Sequence, residues 1–251
     1  MKVLGIIPAR YGSTRLEGKP LKDICGAPMI QHVYERASQA SLVDELVVAT
    51  DDLRIVEAVE HFGGKARLTS AAHKTGTDRI EEVARRFDAE VVINIQGDEP
   101  LLDPRMIDEL ARPMVEDPSI PAGTLCAPIR EKEKLDNPNV VKVVFDRKGF
   151  ALYFSRSLIP YPRKKDSFVA YEHIGVYAYR ADFLRTYVTM PPTPPESTES
   201  LEQLRILETG YRLLVLPTRY DYLGLSVDTA EDLEQVRRIV AAEKAGKVGA
   251  G

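Results

Sequence analysis

The feature that most constrains this chain is a series of short, continuously apolar runs separated by stretches with helical periodicity. Val3–Ile7, Glu45–Thr50 and Glu90–Ile95 carry almost no polar alternation. Runs of that length read as strands buried on both faces of a parallel sheet. Between them, residues 28–38 place Ile30, Val33, Tyr34 and Ala37 on one helical stripe behind Pro28, and a second stripe holds Ile55, Val56, Val59 and Phe62. Asp51 and Asp52 offer caps to this second helix, and Gly63-Gly64 ends it. Thr77 or Asp78 offers a cap to a third, which carries Ile80, Val83, Ala84 and Phe87. Strands alternating with such helices predict βαβ units and an α/β fold.

The second half reads differently. Val140–Phe145 and Phe150–Phe154 flank a hairpin-like Asp-Arg-Lys-Gly turn. Ile174–Tyr179 reads as a tyrosine-rich strand, Leu201–Leu207 as a helix and Leu213–Leu216 as a strand. Asp228-Thr229 caps a last helix with Leu233, Val236, Ile239 and Val240. The proline-rich stretch 191–195 reads as a rigid surface loop, and Lys244–Gly251 as a fraying end.

Composition narrows the class. The 251 residues carry a formal net charge of −4, with 44% hydrophobic and 29% charged side chains, a globular balance that argues against wholesale disorder. An acidic chain has no global attraction to nucleic acid or to anionic membranes. Cys25 and Cys126 form no metal-binding spacing and read as free thiols of a reducing compartment. No stretch approaches the roughly 20 apolar residues of a membrane span. The expectation is a soluble, cytoplasmic protein.

Charge is nevertheless concentrated. Residues 1–22 hold five cations (Lys2, Arg10, Arg15, Lys19, Lys22) against one anion, Glu17. Most of them lie in the loop after the first strand, at the edge where α/β sheets bind ligands. Gly12 and Gly18 permit close backbone approach there, and Ser13 and Thr14 add donors, so the loop suits a phosphate. It is not a P-loop: five residues rather than four separate Gly12 from Gly18-Lys19, and Pro20 stands where a hydroxyl is required. No GxGxxG follows the strand. After the strand at 90–95 comes Gln96-Gly97-Asp98-Glu99-Pro100, which puts Asp98 at a second carboxyl end. A carboxylate there suits Mg²⁺. Asp228 is a second candidate, although helix capping explains it equally well. Cations and metal-binding carboxylates together suit attack on the α-phosphorus of a nucleoside triphosphate.

Residues 6–21, Ile-Ile-Pro-Ala-Arg-Tyr-Gly-Ser-Thr-Arg-Leu-Glu-Gly-Lys-Pro-Leu, closely resemble the N-terminal signature of the 3-deoxy-manno-octulosonate cytidylyltransferases, the CMP-Kdo synthetases. Thr75–Arg79, Asn94–Pro100, Ala151–Arg156, His173–Tyr177, Leu201–Arg205 and Val227–Leu233 match in order, so the resemblance spans about residues 2–240. It implies a Rossmann-like, mainly parallel but mixed sheet of the nucleotide-diphospho-sugar transferase kind. It also implies a single domain over 1–251, with a small antiparallel extension at about 140–190 used for homodimer contact. The implied reaction is CTP plus Kdo giving CMP-Kdo and pyrophosphate, for lipopolysaccharide biosynthesis.

The resemblance further implies roles. Arg10, Arg15 and Lys19 hold phosphates, and Arg10, Lys19 and Asp98 carry catalysis. Asp98 and Asp228 bind Mg²⁺. Pro8, Ala9, Thr75, Gly76, Thr77 and Arg79 border the nucleotide, and Gln96, Arg156, His173, Glu202 and Gln203 face the sugar acid. Asp78 and Ser226 depart from the family pattern, which has Glu and Gly there. Three other readings stay open on the residues: a synthetase for a related sugar acid such as 8-amino-Kdo or a sialic-acid-like sugar, a metal-dependent glycosyltransferase, and a non-catalytic nucleotide-binding regulator.

Overall fold

A computed structural model describes residues 2–12, 16–164 and 168–248. In chain order the elements begin with β1 (Val3–Ala9), a 3-10 turn at Lys19–Leu21, β2 (Asp23–Ile24), β3 (Ala27–Pro28) and α1 (Met29–Ala37). Then come β4 (Glu45–Thr50), α2 (Leu53–His61), β5 (Ala66–Leu68), α3 (Gly76–Ala84), β6 (Val91–Asn94), α4 (Pro104–Glu116) and β7 (Ala122–Pro128). The second half holds α5 (Lys132–Leu135), β8 (Lys142–Phe145), β9 (Ala151–Ser155), β10 (Tyr171–Arg180), α6 (Ala181–Tyr187) and α7 (Pro194–Glu199). It closes with α8 (Leu204–Glu208), β11 (Leu213–Pro217) and α9 (Ala230–Val248).

The main sheet runs β11-β7-β10-β6-β1-β4-β5, and β8 and β9 branch from β10. β1 pairs in parallel with β4 and β6, β4 with β5, and β7 with β11. Only β10 runs antiparallel to its main-sheet neighbours, β6 and β7. The mainly parallel, mixed sheet is the one the sequence predicts.

Burial on both faces explains the continuous apolar runs. Val3 and Ile7, Leu46 and Val48, and Val91 and Ile93 pack under α1, α2 and α4. The alternate residues Leu4 and Ile6, Val47 and Ala49, and Val92 pack under α3, α6 and α8. A third cluster joins Ile24 and Met29 to Val227, Leu233, Val236 and Val240. It docks α9 against the β2–β3 hairpin and so fixes where the residues just before α9 stand.

Several elements differ from the sequence reading. β1 does not stop before Pro8 but continues to Ala9, because its pairing with β6 ends at Ile6 and leaves Pro8 with one neighbour, β4. Thr75, not Thr77 or Asp78, caps α3, in a reciprocal capping box with Asp78. The proline-rich stretch is a loop only in its first half, since Pro194 takes the first position of α7. α9 carries on to Val248 through part of the segment read as fraying. Among the described residues at 140–190, only β8 and β9 branch away. β10 lies inside the main sheet, so Tyr179 is core, and Tyr177 lines a pocket described below.

Candidate active site

Three chain-distant segments meet at the carboxyl edge of β1 and β6. Lys19 enters from the turn after the first loop, Asp98 from the loop after β6, and Asp228 from the segment before α9. The Lys19 ammonium lies 2.9 Å from Asp98 Oδ2 and 3.2 Å from Asp228 Oδ1. The backbone joins the two acidic segments as well, with Val227 N–H donating to the Asp98 carbonyl at 2.9 Å. The cap of α9 is made by Thr229 and Asp232: Thr229 Oγ1 accepts from Asp232 N–H, and the Asp232 carboxylate accepts from the N–H groups of Asp228 and Thr229. Capping therefore does not account for the Asp228 side chain, which turns toward Lys19 instead.

All three side chains keep solvent contact, at 16% exposure for Lys19, 30% for Asp98 and 34% for Asp228. Screened at that level, each contact contributes about 1 kcal/mol or less. That is weak enough for the ammonium to change partners when a polyanion arrives. Two carboxylates are too few for an all-protein cage, and among the described residues no larger His, Cys, Asp or Glu cluster is placed to hold a metal. Two carboxylates and a substrate phosphate are what a Mg²⁺ site ordinarily uses. The lysine already shows that the pair accepts a cation.

Around this triad lies an open cavity of about 470 Å³, walled by Pro8, Ala9, Arg10, Gly76, Gln96 and Gly97. Its floor depends on a close backbone approach. A Cβ on Gly97 would lie 2.6 Å from the Pro8 carbonyl oxygen, so only glycine lets the ends of β1 and β6 come together there. Arg10 Nη2 donates to the Lys74 carbonyl at 2.9 Å.

A second, smaller cavity of about 120 Å³ shares Pro8, Gly76 and Gln96 with the first and extends to Thr77, Asn94, Tyr177, Tyr179, Tyr187, Glu202 and Gln203. Gln96 is fixed between the two by a 2.7 Å bond from its Nε2 to the Gly175 carbonyl. Thr77 Oγ1 donates to Glu202 Oε2 at 3.2 Å, and Tyr187 Oη donates to the Glu202 carbonyl at 2.7 Å. Burial pushes the Glu202 carboxyl above the usual range, and the Thr77 hydrogen bond partly offsets this.

The structure thus gathers Pro8, Ala9, Arg10, Lys19, Gly76, Thr77, Gln96, Asp98, Glu202, Gln203 and Asp228 into two adjoining cavities. Arg15, with Ser13 and Thr14, lies outside the described residues. Thr75 acts as helix cap. Arg79 does not line either cavity. It is fully buried, with Nη2 2.7 Å from Asp51 Oδ2 and Nη1 bonded to Thr69 Oγ1. Arg156 also stands apart, donating to the carbonyls of Glu199 and Pro138. His173 sits behind Tyr177, between that ring and Phe154, with its Nε2 3.0 Å from Thr124 Oγ1. Loss of solvent there pushes its pKa down to about 3, so it is neutral at pH 7.

Sequence reasoning passed over Glu99. This side chain is buried beside Asp98 and accepts from Tyr222 Oη at 3.4 Å. Burial, reinforced by the Asp98 charge, pushes its carboxyl up to about 8. Its place next to Asp98 was the only signal available, and it says nothing of burial.

The chain is similar to known proteins over nearly its whole length. A family profile described as Cytidylyltransferase matches residues 4–214. The 3-deoxy-manno-octulosonate cytidylyltransferase of Geotalea uraniireducens is 53% identical over 247 residues, covering 94% of this chain and 98% of that protein. The one from Solibacter usitatus is 48% identical over 251 residues, covering 100% and 99%. A solved structure of CMP:2-keto-3-deoxy-manno-octonic acid synthetase complexed with CTP superposes with a TM-score of 0.93 at 48% identity, covering 97% of this chain and 100% of that one. A 4-diphosphocytidyl-2C-methyl-D-erythritol synthase from Anaerococcus prevotii, 13% identical with a TM-score of 0.60 and 96% of each chain covered, shares the fold. Matched at 48–53% identity over nearly its whole length by these relatives, the chain belongs to the 3-deoxy-manno-octulosonate cytidylyltransferase family.

Proposed function

We propose that this protein transfers CMP from CTP to the anomeric hydroxyl of Kdo, releasing pyrophosphate, and so activates the sugar for lipopolysaccharide biosynthesis. The observation that carries the reading is the convergence of Lys19, Asp98 and Asp228 at the mouth of a cavity that adjoins a second, polar pocket. The nucleotide occupies the larger cavity, with its base against the Pro8, Ala9 and Gly76 backbone and its phosphates toward Arg10 and Lys19. The sugar acid occupies the smaller one, among Thr77, Glu202 and Gln203. Gln96 borders both, so the substrates meet beside it. The sugar oxygen forms a bond to the α-phosphorus, the bond from that phosphorus to the oxygen bridging the α- and β-phosphates breaks, and the hydroxyl proton passes to water.

Arg10 and Lys19 orient the triphosphate and offset charge gathering on the departing pyrophosphate. Asp98 and Asp228 are the residues that would hold Mg²⁺, which supplies further charge neutralisation when bound. Most of this chemistry is positioning and electrostatics, and no side chain need serve as a general base.

The finer parts of the reading rest on separate features. Leu152, Tyr153, Tyr161 and Val169 are exposed apolar side chains on and after the β8–β9 hairpin, and they suit a homodimer contact. Free Cys25 and Cys126 suit the cytoplasm, and among the described residues no helix is long and apolar enough to cross a membrane. Pyrophosphate release with Mg²⁺, measured for CTP, UTP, ATP and GTP with and without Kdo, tests the reaction. Release that requires both CTP and Kdo is expected. Folded protein inert with Kdo but active with 8-amino-Kdo or a sialic-acid-like sugar would move the reading to that substrate. Sedimentation of the wild type and of L152D tests the dimer.

A further inference from the structure

The segment 69–75 carries no residue that reaches the triad, yet helix α3 holds it at Thr69, Ser70, His73 and Thr75. Thr69 is hydrogen-bonded on both sides: its N–H and Oγ1 both donate to the Thr50 carbonyl, at 2.8 and 3.0 Å, and its Oγ1 also accepts from Arg79. At the far end Thr75 is locked by the capping box with Asp78. The middle hangs on one carboxylate. Glu82 Oε2 accepts from the Ser70 N–H at 2.9 Å and lies 2.6 Å from His73 Nε2. Its Oε1 accepts from Arg86 at 2.7 Å. The Ser70 N–H, with help from His73 and Arg86 and against some burial, holds the Glu82 carboxyl below the usual range, so it is ionised at neutral pH.

The product of this grip is the position of one carbonyl. Lys74 follows His73, and its carbonyl accepts from Arg10 Nη2 at 2.9 Å. Arg10 lies on the wall of the larger cavity, at the end of β1, with a long side chain whose freedom must be lost before it can serve a phosphate. A bond from one Nη to a fixed carbonyl removes part of that freedom and leaves the other guanidinium donors for the ligand.

Resting on the nucleotide reading above, we infer that Glu82 and His73 are positioning residues for Arg10: they fix the Lys74 carbonyl, which holds the guanidinium facing the triphosphate. Neither lines the nucleotide cavity, so both act through the main chain of Lys74.

Calorimetric titration of CTP in the presence of Mg²⁺ tests this in a double-mutant cycle. E82Q is expected to weaken CTP about three- to tenfold in the wild-type background, the effect of one unrestrained side chain. In an R10A background the same substitution is expected to cost less than about twofold, because the group it positions is gone. His73→Ala should follow E82Q, whereas His73→Gln, whose amide N–H can still donate to Glu82, should stay within about twofold of wild type. This rescue is one that a loss of general stability would not give. Should E82Q not fold, the H73A and H73Q pair carries the same cycle. An equal loss in both backgrounds, or no loss in either, overturns the inference while leaving the nucleotide reading in place. Wild-type protein that fails to bind CTP overturns both.

Discussion

The larger cavity takes its charged groups from irregular segments and a single turn, the stretches after β1 and β6 and the one before α9, and Lys19, Asp98 and Asp228 all keep contact with water. The smaller pocket takes most of its groups from regular elements, Thr77 from α3, Asn94 from β6, Tyr177 and Tyr179 from β10 and Tyr187 from α6, with Gln96, Glu202 and Gln203 from the irregular segments beside them. Most of these are buried, and Glu202, whose carboxyl burial pushes above its ordinary range, is the one carboxylate among the pocket's described lining residues. The two designs suit different ligands. A polyanion brings its own charge and solvent, and it needs cations that can change partners. The hydroxyls of a sugar acid need neutral hydrogen-bonding groups held in fixed places, since a loose one leaves a buried polar atom unpaired.

Asp98→Asn offers the hardest test of that division. Removing one carboxylate of the pair should lower turnover about 10³-fold, the scale of losing one electrostatic stabiliser at a reacting phosphate, while circular dichroism stays unchanged. Near-normal pyrophosphate release from this variant would mean that the carboxylate pair is not the reaction centre.

Glu99, one residue on, sharpens the contrast between solvated and buried carboxylates. Its folded pKa of about 8 lies above the 4.5 of an ordinary glutamate. The folded state therefore holds an extra proton between those values, and stability falls as pH rises from about 4.5 to about 8. Glu99→Gln cannot titrate and should remove that slope, gaining up to a few kcal/mol over wild type at pH 8 and little at pH 5. Urea unfolding of metal-free protein at both pH values reads the difference, and parallel behaviour of the two proteins would show that Glu99 is not buried as described.

Gly97→Ala probes the seam beneath the larger cavity. A methyl 2.6 Å from the Pro8 carbonyl must force the β1 and β6 ends apart, at a cost of about 1–3 kcal/mol in thermal unfolding. An unchanged melting temperature would show that the seam yields freely. The smallest effect belongs to the small pocket. Glu202→Gln should raise KM for Kdo about tenfold, one hydrogen-bonded group's worth, and leave KM for CTP alone. Equal changes in both constants would mean that the pockets do not divide the substrates.

Much of the frame was legible because burial on both faces writes itself as unbroken apolar runs. β4 has the predicted boundaries, Glu45–Thr50, and β6 differs by a residue at each end. β7 escaped notice because Ala122-Gly123-Thr124 opens it with small residues, although all three are buried. α4 escaped because Pro113 interrupts its pattern in the last turn. In the site, Arg10, Lys19 and Asp98 were legible from their place after buried strands, whereas no strand immediately precedes Asp228, which stands in the irregular segment before α9. The cap assignments were not legible, because Ser, Thr and Asp cluster at both helix starts. Yet Thr75-x-x-Asp78 and Thr229-x-x-Asp232 each have capping-box spacing, and that pattern would have released Asp228 from the cap. Glu82 and His73 carry no local signal at all, because their meeting depends on the path of the loop between them.

The reversed direction of β10 has one further consequence. Tyr177 lies opposite Asn94, the last residue of β6, so Tyr171–Val176 runs on past the sheet's ligand-binding edge, with Tyr171–Ile174 still laddered to β7 and Tyr171 and Glu172 to β8. Where a parallel strand would hand over to a loop, this sheet raises a hydrogen-bonded parapet beside the bound molecules. Loops drift readily in length and path, whereas a laddered strand can change only the side chains it displays. One flank of the site is thus masonry rather than drapery, and a shift in sugar preference along that flank would come by single residue exchange and not by insertion.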